Sequence, residues 1–290
     1  MKISFGSLQH RLKTIAQSEE KTYMLILTRY FIERLLFRIS ISKFKDNFCL
    51  KGGALIYAWE LEKSRPTMDI DLLASKIKND MDECKNIFEE ICQHNYPDDF
   101  VCFDANSIIA EEIIKNGNYN GIRVKIKASF TEGNTNQIIP VDIGFGDVIS
   151  PNSVEIDYPT TIDSFESPKL AAYSMESVIA EKFQAMIILG ATNSRMKDFY
   201  DIFKLLQKPE LDANILENAI LNTLSNRATP KIAMLSLFAD TYLKDNPSIE
   251  IQWKSFLKKH KLDSSLALPT VFAAITQRLE PVYQKYLSNS

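Results

Sequence analysis

Two neighbouring segments decide how this chain folds: Lys51–Leu55, which reads KGGAL, and Arg65–Leu72, which reads RPTMDIDL. In a strand, residues two apart point to the same face, so Asp69 and Asp71 project together. Two adjacent carboxylates repel each other, and a divalent cation such as Mg²⁺ between them removes that cost because it prefers oxygen ligands. A solvated acidic edge is the alternative, since an isolated Asp-x-Asp pattern also occurs by chance.

The double glycine Gly52–Gly53 lies between a strand predicted at Phe48–Leu50 and a helix predicted at Ala54–Leu61. Because glycine has no Cβ, its backbone N–H group can closely approach a phosphate at the start of a helix. An ordinary turn is the alternative for the glycines alone. Followed by a helix and then by the strand that carries Asp69 and Asp71, they predict a phosphate-binding turn beside a metal site.

A third carboxylate has a similar setting further along the chain. Val141 and Ile143 alternate with Asp142 in a predicted strand, so the side chain of Asp142 faces away from those two apolar residues. If that strand neighbours the Asp69–Asp71 strand, the three carboxylates could hold two Mg²⁺ ions. Such ions stabilise the attacking and leaving oxygens of an in-line displacement at phosphorus.

One lysine of the helical half lies on an apolar helix face. Lys182 is one turn from Val178 and Met186. It either extends to solvent or points into a cleft, where an anionic phosphate is its natural partner. Asp198 aligns with the apolar face of the next helix and is expected to orient Lys182 by ion pairing, whereas Asp201 is interpreted as structural.

A cationic stripe follows one predicted strand. Arg123, Lys125 and Lys127 alternate with apolar residues, so one face of the strand is positively charged. This face is predicted to contact a triphosphate or an RNA backbone, and the alternative is a solvated sheet face.

Composition excludes several classes of protein. The 290 residues include 34 Lys and Arg against 37 Asp and Glu, a formal net charge of −3, and 45% are hydrophobic. These values are typical of a soluble globular chain and exclude collagen, long disorder and a disulfide scaffold. No apolar run is long enough to span a membrane. Cys49, Cys84, Cys92 and Cys102 form no CxxC pair, so we expect reduced core thiols in a cytoplasmic protein rather than a zinc site.

The hydrophobic patterns predict an α+β chain. The predicted strands are Phe48–Leu50, Met68–Ala74, Ile108–Ile114, Ile122–Phe130 and Ile138–Phe145. The predicted helices are Ser18–Ser40, Ala54–Leu61, Asp80–His94, Ser174–Leu189, Ser194–Leu206, Leu211–Asn226, Pro230–Tyr242, Gln252–Lys258 and Pro269–Leu287. Residue propensities also allow Ile108–Ile114 to form a helix. We therefore expect an N-terminal α+β domain with a mixed sheet at residues 1–160 and a C-terminal helical domain at residues 161–290.

Five segments, in order along the chain, resemble the AbiEii/AbiGii toxin family of nucleotidyltransferases. They are Lys51–Leu55, Arg65–Leu72, Val141–Asp147, Ile179–Phe183 and Arg195–Asp201. The resemblance implies a DNA polymerase β-like nucleotidyltransferase fold with an attached helical domain. It also implies the toxin of a type IV toxin–antitoxin or abortive-infection pair, with a cognate antitoxin encoded nearby that need not form a stable complex.

The resemblance further implies a Mg²⁺-dependent enzyme that transfers a nucleoside monophosphate from a nucleoside triphosphate to an acceptor hydroxyl, with the 3′ end of tRNA as the expected acceptor. Asp142 is then expected both to complete the metal site and to act as the base on that hydroxyl. The expected site residues are Asp69, Asp71 and Asp142 for the metal, Gly52, Gly53, Thr67 and Lys182 for the nucleotide, Asp198 for positioning Lys182, and Arg123, Lys125 and Lys127 for RNA.

Ala54 departs from the wider superfamily, which often has serine at this position. Backbone N–H groups and Lys182 are therefore expected to bind the triphosphate. Thr67 is expected to contact phosphate, to be phosphorylated and block the site, or to be an ordinary strand residue. The alternative functions are a nucleotidyltransferase with a small-molecule or protein acceptor, and a non-catalytic nucleotide-binding toxin. The joint presence of the carboxylates and the lysine favours catalysis.

Overall fold

The computed structural model describes residues 3–115, 118–233, 235–238 and 242–288. The chain divides into two compact units: the first comprises Met1–Gly146 and Val154–Ala172, and the second comprises Asp147–Ser153 and Tyr173–Ser290. The boundary expected between residues 160 and 161 lies inside Val154–Ala172, because that segment still contributes strands to the sheet of the first unit.

The first unit is built on a seven-stranded mixed sheet with the order β3-β4-β5-β2-β1-β7-β6. Its strands are β1 (Phe48–Lys51), β2 (Ile70–Ala74), β3 (Val101–Lys115), β4 (Asn118–Phe130), β5 (Asn136–Phe145), β6 (Val154–Asp157) and β7 (Lys169–Ala172). The β2–β5 and β1–β7 pairs are parallel, and the other neighbours are antiparallel. The mixed sheet is confirmed, Ile108–Ile114 is a strand rather than a helix, and β6 and β7 were not predicted.

The helices of the first unit are α1 (Phe5–Ser18), α2 (Tyr23–Ile41), α3 (Gly52–Glu60) and α4 (Met81–Cys92). The prediction of one helix beginning at Ser18 is wrong, because α1 ends there and Glu20 adopts a positive φ of 52°. The side chain of Thr22 instead caps α2 by accepting a hydrogen bond from the N–H of Leu25 at 3.3 Å.

A buried ion pair and a hydrogen bond fix α2 against the segments that lead into β3 and β7. Arg38, 1% exposed, donates to both carboxylate oxygens of Asp99, which is fully buried. Arg34 donates from Nη2 to the carbonyl of Glu166 at 2.8 Å. Charges buried to this degree are tolerated only when paired, so these contacts set the position of the helix along the sheet.

Alternation along β4 separates the core from the outer face of the sheet. Ile122, Val124, Ile126 and Ala128 are each 0% exposed, whereas the residues between them are half-buried. The predicted cationic stripe therefore occupies the face of β4 that is turned away from the core.

The second unit is helical. Its helices are α5 (Met175–Leu189), α6 (Met196–Leu205), α7 (Ala213–Asn226), α8 (Tyr242–Asp245), α9 (Pro247–Lys259) and α10 (Leu268–Ser288). The predicted helix Pro230–Tyr242 is wrong for the described residues, which form a short 3₁₀ turn at Ser236–Phe238; residues 234 and 239–241 lie outside the described part. The hydroxyl of Tyr283 bonds both the N–H and the carbonyl of Ile232, and thus replaces helical partners.

All four cysteines are free thiols, as expected, but one lies outside the core. Cys49, Cys84 and Cys92 are buried, and burial raises the pKa of Cys84 to about 11 and that of Cys92 to about 12. The core assignment of Cys102 is wrong, since it is exposed. Within the described residues, no helix is long and apolar enough to cross a membrane.

Candidate active site

A row of charged side chains crosses four adjacent strands of the first unit. Lys51 on β1 is paired with Asp71 on β2, Asp71 with Asp142 on β5, and Asp142 with Arg123 on β4. Residues paired directly across a sheet point to the same face. The register therefore brings two carboxylates side by side and places a basic residue at each end of the pair.

The carboxylate of Asp71 lies directly against the glycine turn at the start of α3. Gly52 has a φ of +68°, and a Cβ added to it would lie 1.9 Å from Oδ2 of Asp71. The N–H of Gly53 donates to the same oxygen at 3.4 Å. The N-cap residue Lys51 makes no side-chain capping bond, and the Gly53 N–H of the first turn is directed at the carboxylate instead. The predicted turn is thus the first turn of the helix itself.

Thr67 and Asp69 complete this cluster from the loop before β2. The hydroxyl of Thr67 donates to Oδ1 of Asp69 at 2.9 Å. A Cβ on Gly53 would lie 2.4 Å from Oγ1 of Thr67 and 3.5 Å from Nη1 of Arg65. The structure thus gathers the predicted residues of both glycine and aspartate segments. It adds Arg65, to which the sequence assigned no role because only the folded loop brings it to Gly53.

Asp142, the third predicted metal ligand, is held by an arginine. Nε of Arg123 lies 2.6 Å from Oδ1 and Nη2 lies 2.7 Å from Oδ2, so both carboxylate oxygens accept a bond. The hydrogen-bonded Asp142, with further contributions from Asp69 and Glu111, raises the pKa of Arg123 above its ordinary value. Arg123, predicted to bind RNA, therefore neutralises a carboxylate of the same row. The metal and base roles of Asp142 stay predictions.

The rest of the cationic stripe is less uniform than the sequence suggests. Lys125 forms an ion pair of 2.7 Å with Glu111 on β3. For Lys127 the structure records no ion pair among the residues it describes. Binding of RNA by this face stays a prediction, with Lys127 as its most available charge.

Lys182 lies in a largely buried ion cluster of the second unit. Its Nζ lies 2.8 Å from Oδ1 of Asp198 and 2.8 Å from Oδ2 of Asp201, and Arg195 pairs with Asp198 at 2.7 Å. The carboxylates are 0% and 1% exposed and the lysine side chain 11%. The expected pairing with Asp198 is present, and Asp201 was missed as a second partner although its spacing of three residues places it on the same helix face. Phosphate binding by Lys182 stays a prediction.

A second polar cluster holds the segment Asp147–Ser153 to α5. Arg227 donates to Oδ1 of Asp147 at 2.8 Å, to Oε1 of Glu181 at 2.9 Å and to Oε1 of Gln184 at 3.0 Å. Because Glu181 directly precedes Lys182, these bonds also fix the turn of α5 that carries the lysine.

The model of one protein family, described as nucleotidyl transferase AbiEii toxin of type IV toxin–antitoxin systems, matches residues 34–279. The chain belongs to this family. The match includes both the carboxylate row and the lysine cluster, and it confirms the resemblance carried by the five sequence segments. The protein is therefore a nucleotidyltransferase toxin of a type IV system, and its family implies a cognate antitoxin.

One solved structure supports the fold of the toxin. A candidate nucleotidyltransferase from H. pylori aligns with a TM-score of 0.52 at 12% identity, covering 91% of this chain and 97% of that chain. JHP933 from Helicobacter pylori aligns with a TM-score of 0.48 at 12% identity, covering 88% of this chain and 90% of that chain. No curated protein matches the chain. At such identity the first structure confirms the nucleotidyltransferase fold and nothing finer.

Gly52→Ala is expected to abolish growth inhibition on expression of the toxin. The new Cβ must displace Asp71, and misplacement of a site residue by about 1 Å costs about a hundredfold in rate. Growth curves at matched protein level measure the effect. Gly133→Ala is the control, because Gly133 has a φ of +81° but nothing within 4 Å of its Cβ position. Equal loss of toxicity in both variants would show that backbone strain alone is responsible.

Lys182→Met is expected to lower the free energy of unfolding by about 3–5 kcal/mol, because it leaves two buried carboxylates without their lysine. Urea unfolding measures this change. The triple variant Lys182→Met, Asp198→Asn, Asp201→Asn removes the buried charges together and should regain most of the loss. If Lys182→Met unfolded at the same urea concentration as the wild type, the ion pairs of Lys182 would not contribute to stability as predicted. A stable triple variant that has lost toxicity would identify a role of the cluster beyond folding.

Proposed function

We propose that this toxin transfers a nucleoside monophosphate from a nucleoside triphosphate to an acceptor hydroxyl in a Mg²⁺-dependent reaction, and that the acceptor is the 3′ end of tRNA. The observation that carries the proposal is the position of Asp71, whose Oδ2 lies against Gly52 and Gly53 at the start of α3. A cation-binding carboxylate and a phosphate-binding helix start thus share one location.

The start of α3 is suited to the triphosphate. A helix N-terminus presents unpaired N–H groups and a partial positive charge, and a glycine leaves room for a phosphate to reach them. Thr67 supplies beside Gly53 the hydroxyl that Ala54 lacks, and the guanidinium of Arg65 lies at the same glycine. We assign triphosphate binding to this turn and its two neighbours.

Asp69 and Asp71 fit a divalent cation. Their carboxylates supply oxygen donors from one strand end, Asp69 is oriented by the Thr67 hydroxyl, and Asp71 is fixed by the glycine turn. When bound, Mg²⁺ would neutralise the repulsion between the carboxylates and the charge of the triphosphate. The protein itself positions the phosphates through N–H groups of α3 and supplies fixed electrostatics. Those two effects account for most of the rate in phosphoryl transfer.

RNA is favoured as the acceptor by the basic residues of β4. Lys125 and Lys127 lie on the same sheet face as Asp142, two and four residues beyond Arg123, so a polyanion lying along β4 would lead toward the carboxylate row. A small-molecule or protein acceptor needs no such track. Labelled triphosphates incubated with Mg²⁺ and total cellular RNA, with protein, or with small hydroxyl compounds discriminate the acceptors.

Asp69→Asn is expected to abolish both nucleotide transfer and growth inhibition while the fold is retained. The change removes a charge but little volume, so divalent-cation binding weakens while packing is kept. Transfer of label from each α-³²P-labelled triphosphate to total RNA, together with circular dichroism, measures both effects. Asp157→Asn is the control, because Asp157 on β6 is an exposed aspartate that pairs with an exposed lysine.

If Asp69→Asn transferred label at the wild-type rate at saturating Mg²⁺, the assignment of the site would be contradicted. A wild-type protein that inhibits growth but transfers no label from any triphosphate would instead favour the non-catalytic toxin.

The double variant Lys125→Gln, Lys127→Gln is expected to weaken RNA binding and flatten its salt dependence. On a single strand, log K falls with log salt concentration by about 0.7 per phosphate contact. Loss of two contacts should therefore make this negative slope shallower by about 1.4. Arg123 is kept, so the carboxylate row stays intact. Filter binding from low to high salt measures the slope, and triphosphate binding should be unchanged. An unaltered slope would make the stripe an ordinary solvated face.

A further inference from the structure

The pairing of Arg123 with Asp142 changes the number of cations that the carboxylate row can accept. Sequence reasoning gave three carboxylates and hence two divalent cations. In the structure, Asp142 has both oxygens bonded to the guanidinium at 2.6 and 2.7 Å. Within the part of the chain that the structure describes, no three acidic, histidine or cysteine side chains converge on one metal position.

Arg123 is a permanent cation held in place by the sheet. A guanidinium does not lose its proton in proteins, and its planar fork matches a carboxylate through two parallel bonds. β4 and β5 pair antiparallel with Arg123 directly opposite Asp142, and the neighbours Ile122 and Val124 are fully buried. The strand therefore cannot rotate the arginine away without exposing its core residues.

A divalent cation at Asp142 would meet both an occupied carboxylate and a like charge. The bonds from Nε and Nη2 use one lone pair of each oxygen, and like charges a few ångströms apart repel strongly where solvent is partly excluded. The side chains of Arg123 and Asp142 are 38% and 20% exposed, so solvent screens this repulsion only in part.

We propose that Arg123 takes the place of a second divalent cation at Asp142, so that the site binds one divalent cation, through Asp69 and Asp71. The inference rests on the proposed divalent-cation dependence and makes it more specific. Arg123 is a positioning residue in this arrangement. It fixes the Asp142 carboxylate and supplies the positive charge that a second divalent cation would otherwise provide.

Mn²⁺ titration of the full-length protein, without nucleotide, counts the bound cations through the electron paramagnetic resonance signal of the free ion. We expect one Mn²⁺ for the wild type and two for Arg123→Gln, because the freed Asp142 can then share a second ion. Lys125→Gln is the matched control. It removes the same charge from the same face of β4, where Lys125 pairs with Glu111 of β3, and this variant should still bind one Mn²⁺.

Asp142→Asn keeps the test decisive if Arg123→Gln fails to fold by circular dichroism. With Asp142 contributing no ligand, this variant should bind one Mn²⁺ with the affinity of the wild type, whereas loss of a true ligand weakens binding by at least about tenfold. Two ions in the wild type, one ion in folded Arg123→Gln, or weakened binding by Asp142→Asn would each overturn the inference and leave the proposed function standing. No Mn²⁺ binding by the wild type would overturn the proposed cation dependence itself.

Discussion

The parallel pairing of β2 with β5 is the constraint on which the site depends. It places Asp71 opposite Asp142, an arrangement that like charges oppose, and the antiparallel neighbours on either side place Lys51 and Arg123 next to those carboxylates. Because side chains alternate along a strand, a shift of one residue in any of these pairings would turn a member of the row into the core and an apolar residue out of it. Buried Ile70 and Leu72 on β2, and Val141 and Ile143 on β5, resist that shift.

The glycine turn depends on the same row. Asp71 can lie against the start of α3 only because Gly52 has no Cβ, and Thr67 can reach Gly53 only because Gly53 has none. The two glycines thus serve a double purpose. They admit the carboxylate and the hydroxyl of the protein, and they let the N–H of Gly53 donate to Asp71. Their conformational freedom matters chiefly at Gly52, where φ is +68°.

What the sequence could predict follows from how local each feature is. Asp71 alternates with Ile70 and Leu72, and Asp142 with Val141 and Ile143, so the faces of these two carboxylates are readable within a few residues. Asp69 was predicted on the same strand but lies in the loop just before β2. The partner of Asp142 is not readable in this way, because Arg123 lies on another strand and only the register brings the two together. Other misses are similar. The strands β6 and β7 are only four residues long, too short for alternation to identify them, and the helix predicted after Pro230 is replaced by bonds to the distant Tyr283.

The Lys182 cluster and the start of α3 differ in burial, and this difference affects how well each can bind a phosphate. Asp198 and Asp201 are almost completely buried with Lys182 between them, and opening such a pair leaves an uncompensated charge at a cost of about 3–5 kcal/mol. A phosphate that bound Lys182 would have to share it with two carboxylates already at 2.8 Å. At the start of α3 the carboxylate of Asp71 is also present, but it accepts from the N–H of Gly53 at the longer distance of 3.4 Å, and the N-cap side chain makes no capping bond. Under the proposed function, the triphosphate would therefore gain most of its binding energy from α3 and its flanking residues. The contacts of the lysine cluster hold α5 against α6.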